Sequence, residues 1–447
     1  MTAKDTSTPE LDAFGTECQE VPLHKGARIL VVSSPAPATV LATALLCRSI
    51  MKSGGLFHIT FTEPITTIQT LESVMKANPE RTLLVVGVDV TGDGTSDSGN
   101  TGPILIGSTI SKGSAPSFSL GPRELVSASA YALAREKLDT GLEELFLAAA
   151  GLLIQNPSTF DSDGVSKEIV RLAQDSGVLQ ERRGFRIFGV NFLPLTETLS
   201  NSISPYLPGI SGAASSCERI LNEADIPSTR RNMPVTSLTG EEKKRLAEGL
   251  ALKLDIAVIR KLLGLDFEAT LESESSPLRF LSGIQSMAEV AWCRQEVGLA
   301  MAIWMGDRAR MLRMLLDSYR IHCRGVISGL QHFLSVQSKH EIKAVTDSVA
   351  VATLTAVRSE SLSNVGRIAF DNGHIDQGLF LVLDRDDCAS VIWASDDIDF
   401  SEVFSAFRTA GLSFSSTSPL SLLIQLKSKK DRETLLRVVG DFAGGMR

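Results

Sequence analysis

The sequence predicts an α/β protein: a doubly wound parallel sheet, then a helical middle region, then a C-terminal α+β domain. Three observations carry this reading. The runs Ile29–Val32 and Thr82–Val90 (TLLVVGVDV) are apolar on both faces, as central parallel strands are. Helical segments alternate with such runs from Arg28 onward, the pattern of βαβ units. Mainly helical sequence then opens at Thr239-Gly-Glu-Glu242, and strand-like runs return from Ala344.

Residues 1–24 are polar, with little apolar periodicity, and read as a flexible tail. The α/β domain is expected over residues 25–235. Its first unit is RILVVSSPAPATVLATALLCRSI (Arg28–Ile50): a strand at Ile29–Val32, a loop at Ser33–Thr39 and a helix from near Val40. Leu56–Phe61 reads as a strand and Ile65–Met75 as a helix. TGDGTSDSGNTG, after Val90, leads into a strand at Pro103–Ile106. It lacks the Gly-Lys-Ser/Thr ending of a phosphate-binding loop and reads as a connection. Helices are expected at Ser127–Lys137, Gly141–Ile154 and Ser166–Asp175, and a strand at Phe185–Val190.

The helical region is expected over residues 236–340. Thr239 and Glu242 have the spacing of a capping box. Met301–Leu334 carries Leu312, Leu315, Leu316 and Tyr319 at helical spacing and reads as one long amphipathic helix. Its Arg308, Arg310, Arg313 and Arg320 fit a solvated face or a nucleic-acid face. The last domain, residues 341–447, has strands expected at Val349–Val357, Gly366–Phe370, Gly378–Leu383, Ser390–Ala394 and Leu420–Leu426. Helices are expected at Ser401–Ala410 and Lys430–Phe442.

Composition narrows the function. Acidic residues outnumber basic ones 52 to 44, a net charge of −8 that disfavours a broad nucleic-acid surface. Cys18, Cys47, Cys217, Cys293, Cys323 and Cys388 are scattered without a C-x-x-C pair, so reduced thiols are expected and a zinc site is not. No charge-free apolar run reaches membrane-spanning length and no signal-peptide pattern is present, so a soluble cytoplasmic protein without membrane contact is expected.

Ligands of α/β proteins usually bind at the carboxyl end of the first strand. Here that loop is Ser33, Ser34, Pro35, Ala36, Pro37, Ala38 and Thr39. It offers no glycine for phosphate, no carboxylate or imidazole for metal, and no base.

Two longer segments identify a relationship. LPLTETLSNSISPYLPGISG (Leu193–Gly212) and FLSGIQSMAEVAWCRQEVGLAMAIWMGDRARMLRMLLDSYR (Phe280–Arg320), the latter with its Gly306-Asp307, resemble the archaeal RecJ-like branch of the DHH phosphoesterase superfamily. With the strand order at the start and the small domain at the end, the resemblance covers nearly everything after residue 25. It implies a DHH domain, a helical middle region and a C-terminal DHH-associated domain, with a cleft between the outer two.

Active members of that superfamily hold divalent metal with Asp and His from four loops, and two ions can clamp a phosphodiester. Laid on this chain, the first motif falls on Ser34, Ala36, Ala38 and Thr39. The second points to Asp89, and the Asp-His-His signature falls on Gly107-Ser108-Thr109. The Asp of the next helix falls on Leu153, and the glycine-rich substrate grip on Ser415-Ser416-Thr417-Ser418. His24, His58, His322, His332, His340 and His374 lie outside these positions. The resemblance therefore implies a degenerate copy: no catalytic residue, no metal ligand set, no cofactor, with Asp89 as the one remnant candidate. One carboxylate alone does not hold such an ion.

A fold can outlast its chemistry when its surface is used. The resemblance implies a non-enzymatic replisome scaffold that associates with the GINS complex and the MCM helicase and is nucleoid-associated, with an active RecJ-like paralogue as a further partner. Trp292 and Trp304 of the middle region are its candidate interface anchors. Two alternatives stay open. One is single-stranded DNA binding in the cleft, against which stand 6% aromatic residues and the lost grip. The other is a new enzyme site, for which no acid, base and nucleophile cluster is visible.

Overall fold

In the computed structural model, residues 9–92, 102–108, 110–111, 118–122, 125–160, 164–376, 380–394, 398 and 400–445 are described. The first unit alternates strand and helix as the hydrophobic runs require. Its elements are α1 (Pro9–Cys18), β1 (Arg28–Ser33), α2 (Pro37–Lys52), β2 (Leu56–Phe61), β3 (Ile65–Thr67), α3 (Ile68–Ala77), β4 (Thr82–Val86) and β5 (Asp89–Thr91). They continue with β6 (Ile104–Ile106), β7 (Ile110–Ser111), β8 (Phe118–Leu120), α4 (Val126–Lys137), α5 (Leu142–Gln155) and α6 (Val165–Asp175). Five strands form a parallel sheet in the order β2-β1-β4-β6-β8. Successive side chains of a strand point to opposite faces. Ile29 and Val31 accordingly join the core made with α2, α4 and α5, whereas Leu30 and Val32 join Ile68 and Leu71 of α3. The sheet is thus covered on both sides, as a doubly wound sheet is.

Helix α2 holds this unit together. Pro37 begins it, where a missing N–H costs nothing, and Gly54, in the left-handed region at φ +73°, follows its end. Leu41, Leu45, Leu46 and Ile50 are at most 1% exposed, each contributing roughly 1.5–3 kcal/mol of burial. The helix packs against α4 and α5 of its own unit.

The chain then passes through β9 (Leu179–Phe185), α7 (Leu195–Ser200), α8 (Ala214–Glu223), α9 (Ser228–Arg231), α10 (Gly240–Ala251), α11 (Ile256–Leu262) and β10 (Leu263–Ala269). Next come α12 (Leu281–Cys293), α13 (Val297–Trp304) and α14 (Arg310–Ser338). The last unit comprises β11 (Lys343–Thr346), β12 (Val349–Thr353), α15 (Ser359–Asp371), β13 (Phe380–Asp384), β14 (Cys388–Trp393), α16 (Phe400–Thr409), β15 (Ser413–Ser418), β16 (Ser421–Gln425) and α17 (Lys429–Gly445). Its mixed sheet has the order β11-β12-β13-β14-β16-β15, with α15 on one face and α16 and α17 on the other. Among the described residues, no helix is long and apolar enough to cross a membrane.

Several expectations are corrected. The tail expected over residues 1–24 contains α1, whose Leu11, Phe14 and Cys18 form a short apolar stripe against the main core. The Leu11 amide donates to Glu168 at 2.9 Å. The strand expected at Phe185–Val190 lies at Leu179–Phe185 instead, paired with β10. Most of its residues (LQERRGF) are exposed, so no apolar run announces it. The single helix expected over Met301–Leu334 breaks at Gly306, where φ is +118°. Asp307 Oδ1 then accepts the Ala309 and Met311 amides at 2.9 and 3.1 Å, restarting the chain as α14. The strand expected at Gly366–Phe370 belongs to α15, since Leu362, Val365, Ile368 and Ala369 recur at helical spacing. The middle region expected over residues 236–340 is not one unit. Residues between Ile187 and Phe280 close their own core, while α12, α13 and α14 join the main one and link both outer units.

Candidate functional site

The loop after β1 is closed by its own short side chains. Ser33 Oγ donates to the Ser34 carbonyl at 3.0 Å and shares a hydrogen bond with Thr43 Oγ1 at 2.8 Å. Ser34 is fully buried; its amide donates to the Val86 carbonyl at 3.1 Å and its Oγ accepts the Ala36 amide at 3.4 Å. Thr39 fills the space beside Gly87, where a Cβ would stand 2.5 Å from Thr39 Oγ1. Small polar residues here complete a turn.

This loop faces the C-terminal unit across a cleft. The cavity, of about 310 Å³, is lined on one side by Ala36, Pro37, Ala38, Thr39, Ile154 and Gln155. Opposite stand Gln285, Glu289, Trp292 and Cys293 of α12, Ser363, Asn364 and Arg367 of α15, and Ser416–Pro419. Of the positions matched to metal motifs, Ala36, Ala38 and Thr39 line the cleft, while Ser34 does not. Ser108 is 2% exposed, accepting the Val88 amide at 3.1 Å and donating to the Ile106 carbonyl. Gly107 turns the chain before it, and Thr109 lies outside the described residues. Leu153 is buried in the core. Asp89 begins β5, its amide donating to the Pro64 carbonyl at 2.8 Å, and stands outside the cleft lining.

At the matched positions among the described residues, Asp89 is the one carboxylate and no imidazole stands beside it. Methyl groups, a leucine and serine hydroxyls engaged with backbone replace the carboxylates and imidazoles that divalent metal ions need. Among the described residues no three His, Cys, Asp or Glu side chains converge to hold an ion. The histidines are dispersed: His24, His58 and His340 are exposed, His332 and His374 half-buried, and His322 buried.

The segment matched to the substrate grip is bonded into the protein. The Ser416 amide donates to Glu63 Oε2 at 2.9 Å, and its carbonyl accepts Trp292 Nε1 at 2.9 Å and Gln295 Nε2 at 3.3 Å. Thr417 Oγ1 bonds to Ser363 and Ser421 at 2.6 and 3.0 Å, and Ser418 Oγ to Ser421 at 2.7 Å. Burial pushes the Glu63 carboxyl up, partly offset by the Ser416 amide. Glu63 thereby ties the first unit to the last at the cleft edge.

Cysteine, asparagine and histidine meet at this wall, Cys293 and Asn364 lining the cleft and His322 buried behind them, yet not as a nucleophile with its base. Cys293 Sγ lies 3.1 Å from Asn364 Oδ1, and His322 Nε2 lies 3.3 Å from the same oxygen. Asparagine therefore stands between thiol and imidazole. Burial pushes the Cys293 thiol up to about 12 and the His322 imidazole down to about 4. A protonated thiol without an adjacent base is inert.

Sequence reasoning missed Trp292, Cys293 and Asn364 as cleft residues, and Glu63 and Gln295 as the groups that bond Ser416 of its wall. They come together only through tertiary structure, and no local spacing marks them.

No protein-family model matches the sequence, and no curated protein does. Solved structures do match. A crystal structure of exonuclease RecJ bound to manganese aligns with 98% of this chain and 95% of its own, at 13% identity and a TM-score of 0.47. The crystal structure of CDC45 from Entamoeba histolytica aligns over 97% of both chains, at 10% identity and a TM-score of 0.62. End to end, this chain has the fold of CDC45, as its resemblance to RecJ-like proteins of the DHH superfamily implies.

Proposed function

We propose that this chain is a catalytically inactive RecJ-like replisome subunit, a scaffold that associates with a GINS complex and an MCM helicase. The observation that carries this reading is the loop after β1. Ser34, Ala36 and Ala38 occupy the matched ligand positions, and Ser34 is sealed into the turn by its own hydrogen bonds. The fold is kept over the full chain while its ligand loop closes on itself, which favours use of the surface over chemistry. The self-bonded Ser416–Ser418 segment weighs against a DNA grip, because its groups are already taken. Trp292 and Trp304 are 3% and 2% exposed, so they belong to the core and anchor no partner.

The test is reconstitution. The purified chain, mixed with purified GINS and MCM of the same organism, is expected to co-elute with GINS and to join the ternary assembly on size-exclusion chromatography with light scattering. Elution of every component at its own mass, with the chain folded by circular dichroism, would overturn the reading.

A further inference from the structure

Helix α14 runs 29 residues, and one long face of it stays outside the core. Arg310, Arg313, Met314, Asp317, Ile321, Arg324 and Ser328 are all exposed and recur at spacings of three and four, which places them on one stripe. From Arg310 to Arg324 the stripe spans about 21 Å at ~1.5 Å per residue. Its charge is one-sided. Arg308 pairs with Glu272 and Arg320 with Glu197 and Asp317. Among the described residues no carboxylate pairs with Arg310, Arg313 or Arg324. Asp317 is the only acidic residue of the stripe, in a chain whose net charge is −8.

Two features make the stripe more than a solvated face. Met314 and Ile321 are 43% and 42% exposed, large apolar groups set between the arginines. Ile321 and Arg324 line a groove of about 320 Å³ together with Gly325, Val357 and Arg358. Arginines around a small apolar centre match the composition of interface anchors.

We propose that this face of α14, with the adjoining groove, docks an acidic amphipathic segment of a partner protein. Carboxylates of the segment would meet Arg310, Arg313 and Arg324, with Arg358, itself 3.9 Å from Glu360, at the groove edge, and an apolar side chain would sit over Ile321 in the groove. Charge complementarity chooses an acidic occupant. The exposed Met314 and Ile321, the acidic Asp317 and the absence of any aromatic side chain on the stripe choose protein over single-stranded nucleic acid, which needs stacking platforms. The inference rests on the scaffold reading, in which the surface performs the work.

The test uses the full chain and a fluorescein-labelled helical peptide with Glu or Asp at alternate turns and Leu at the intervening i, i+3 and i+4 positions. Controls are the same peptide with its acids changed to Gln or Asn, and an oligodeoxythymidine strand. Anisotropy is expected to show salt-sensitive binding of the acidic peptide. Arg313→Glu with Arg324→Glu should weaken it at least about tenfold, roughly 1.4 kcal/mol, and Met314→Ser with Ile321→Ser should weaken it as well. All four side chains are exposed, so the variants should keep the wild-type circular dichroism. Equal binding of the neutral peptide, binding untouched by the arginine variants, or preferential arginine-dependent binding of the oligonucleotide would each overturn the proposal. Peptide binding that persists while GINS and MCM fail to assemble with the wild-type chain would sink the replisome reading and leave this surface standing.

Discussion

Replacing Gly107 by alanine is expected to destabilise the protein by about 4 kcal/mol. Gly107 stands where the resemblance places the first residue of the metal-binding signature, at the carboxyl end of β6. Its φ of +57° lies in the left-handed region, which a residue with a Cβ enters only with strain. A Cβ there would also stand 2.6 Å from the backbone Cα of Val126. That atom opens α4 and cannot swing aside as a side-chain tip would, so the helix must shift. Gly209 is the control: φ is +73° there, yet nothing lies within 4 Å of the added carbon, so only the conformational cost of about 1–2 kcal/mol applies. Urea unfolding of both variants measures the difference. Equal losses would show that α4 yields freely, and that packing does not fix the loop.

Removal of the Glu144 side chain is expected to cost about 3–5 kcal/mol, the range for breaking a buried ion pair from one side. Glu144 is fully buried in the first turn of α5. It accepts from Arg48 Nε at 2.9 Å, Lys52 Nζ at 2.6 Å and the Gly141 amide at 2.8 Å. One carboxylate thus caps α5, fixes it to α2 and holds Arg48, which reaches on to the Trp304 and Met305 carbonyls. Burial alone would raise the Glu144 pKa, but hydrogen bonds from Lys52 and Arg48 outweigh it and hold the carboxyl below its ordinary value. A carboxyl depressed in the folded state stabilises above its unfolded pKa, and that contribution is lost as pH falls through the folded value. The deficit of Glu144→Ala should therefore be full at pH 7 and shrink in acid. Glu144→Gln keeps an acceptor for the Gly141 amide and should lose less. A loss below about 1 kcal/mol for Glu144→Ala would place this network with ordinary surface pairs.

The fold was legible where burial writes a strong local pattern. The apolar run of β1 forms the strand it predicts, the run Thr82–Val90 splits at Gly87 into β4 and β5 of separate sheets, and the Thr239–Glu242 capping box closes with bonds of 2.7 and 3.2 Å in both directions. Legibility failed where burial is weak or the run is short. The charged β9 is defined by pairing with β10, and the five residues Gly366–Phe370 satisfy helix and strand equally until α14 packs against them. Chemical blankness of the loop after β1 could be read from Ser34, Ala36 and Ala38 alone. The opposite wall could not, because Trp292 and Ser416 meet across 124 residues and Glu63 and Ser416 across 353.

The central claim is that this fold carries no phosphodiester chemistry of its own. The most direct measurement incubates the purified chain with 5′-labelled single-stranded DNA and Mn²⁺ or Mg²⁺, and follows release of nucleotides across the protein peak from gel filtration. The account predicts no release above the buffer control in any fraction. Metal-dependent release that follows the protein peak and is abolished by Asp89→Ala would contradict it.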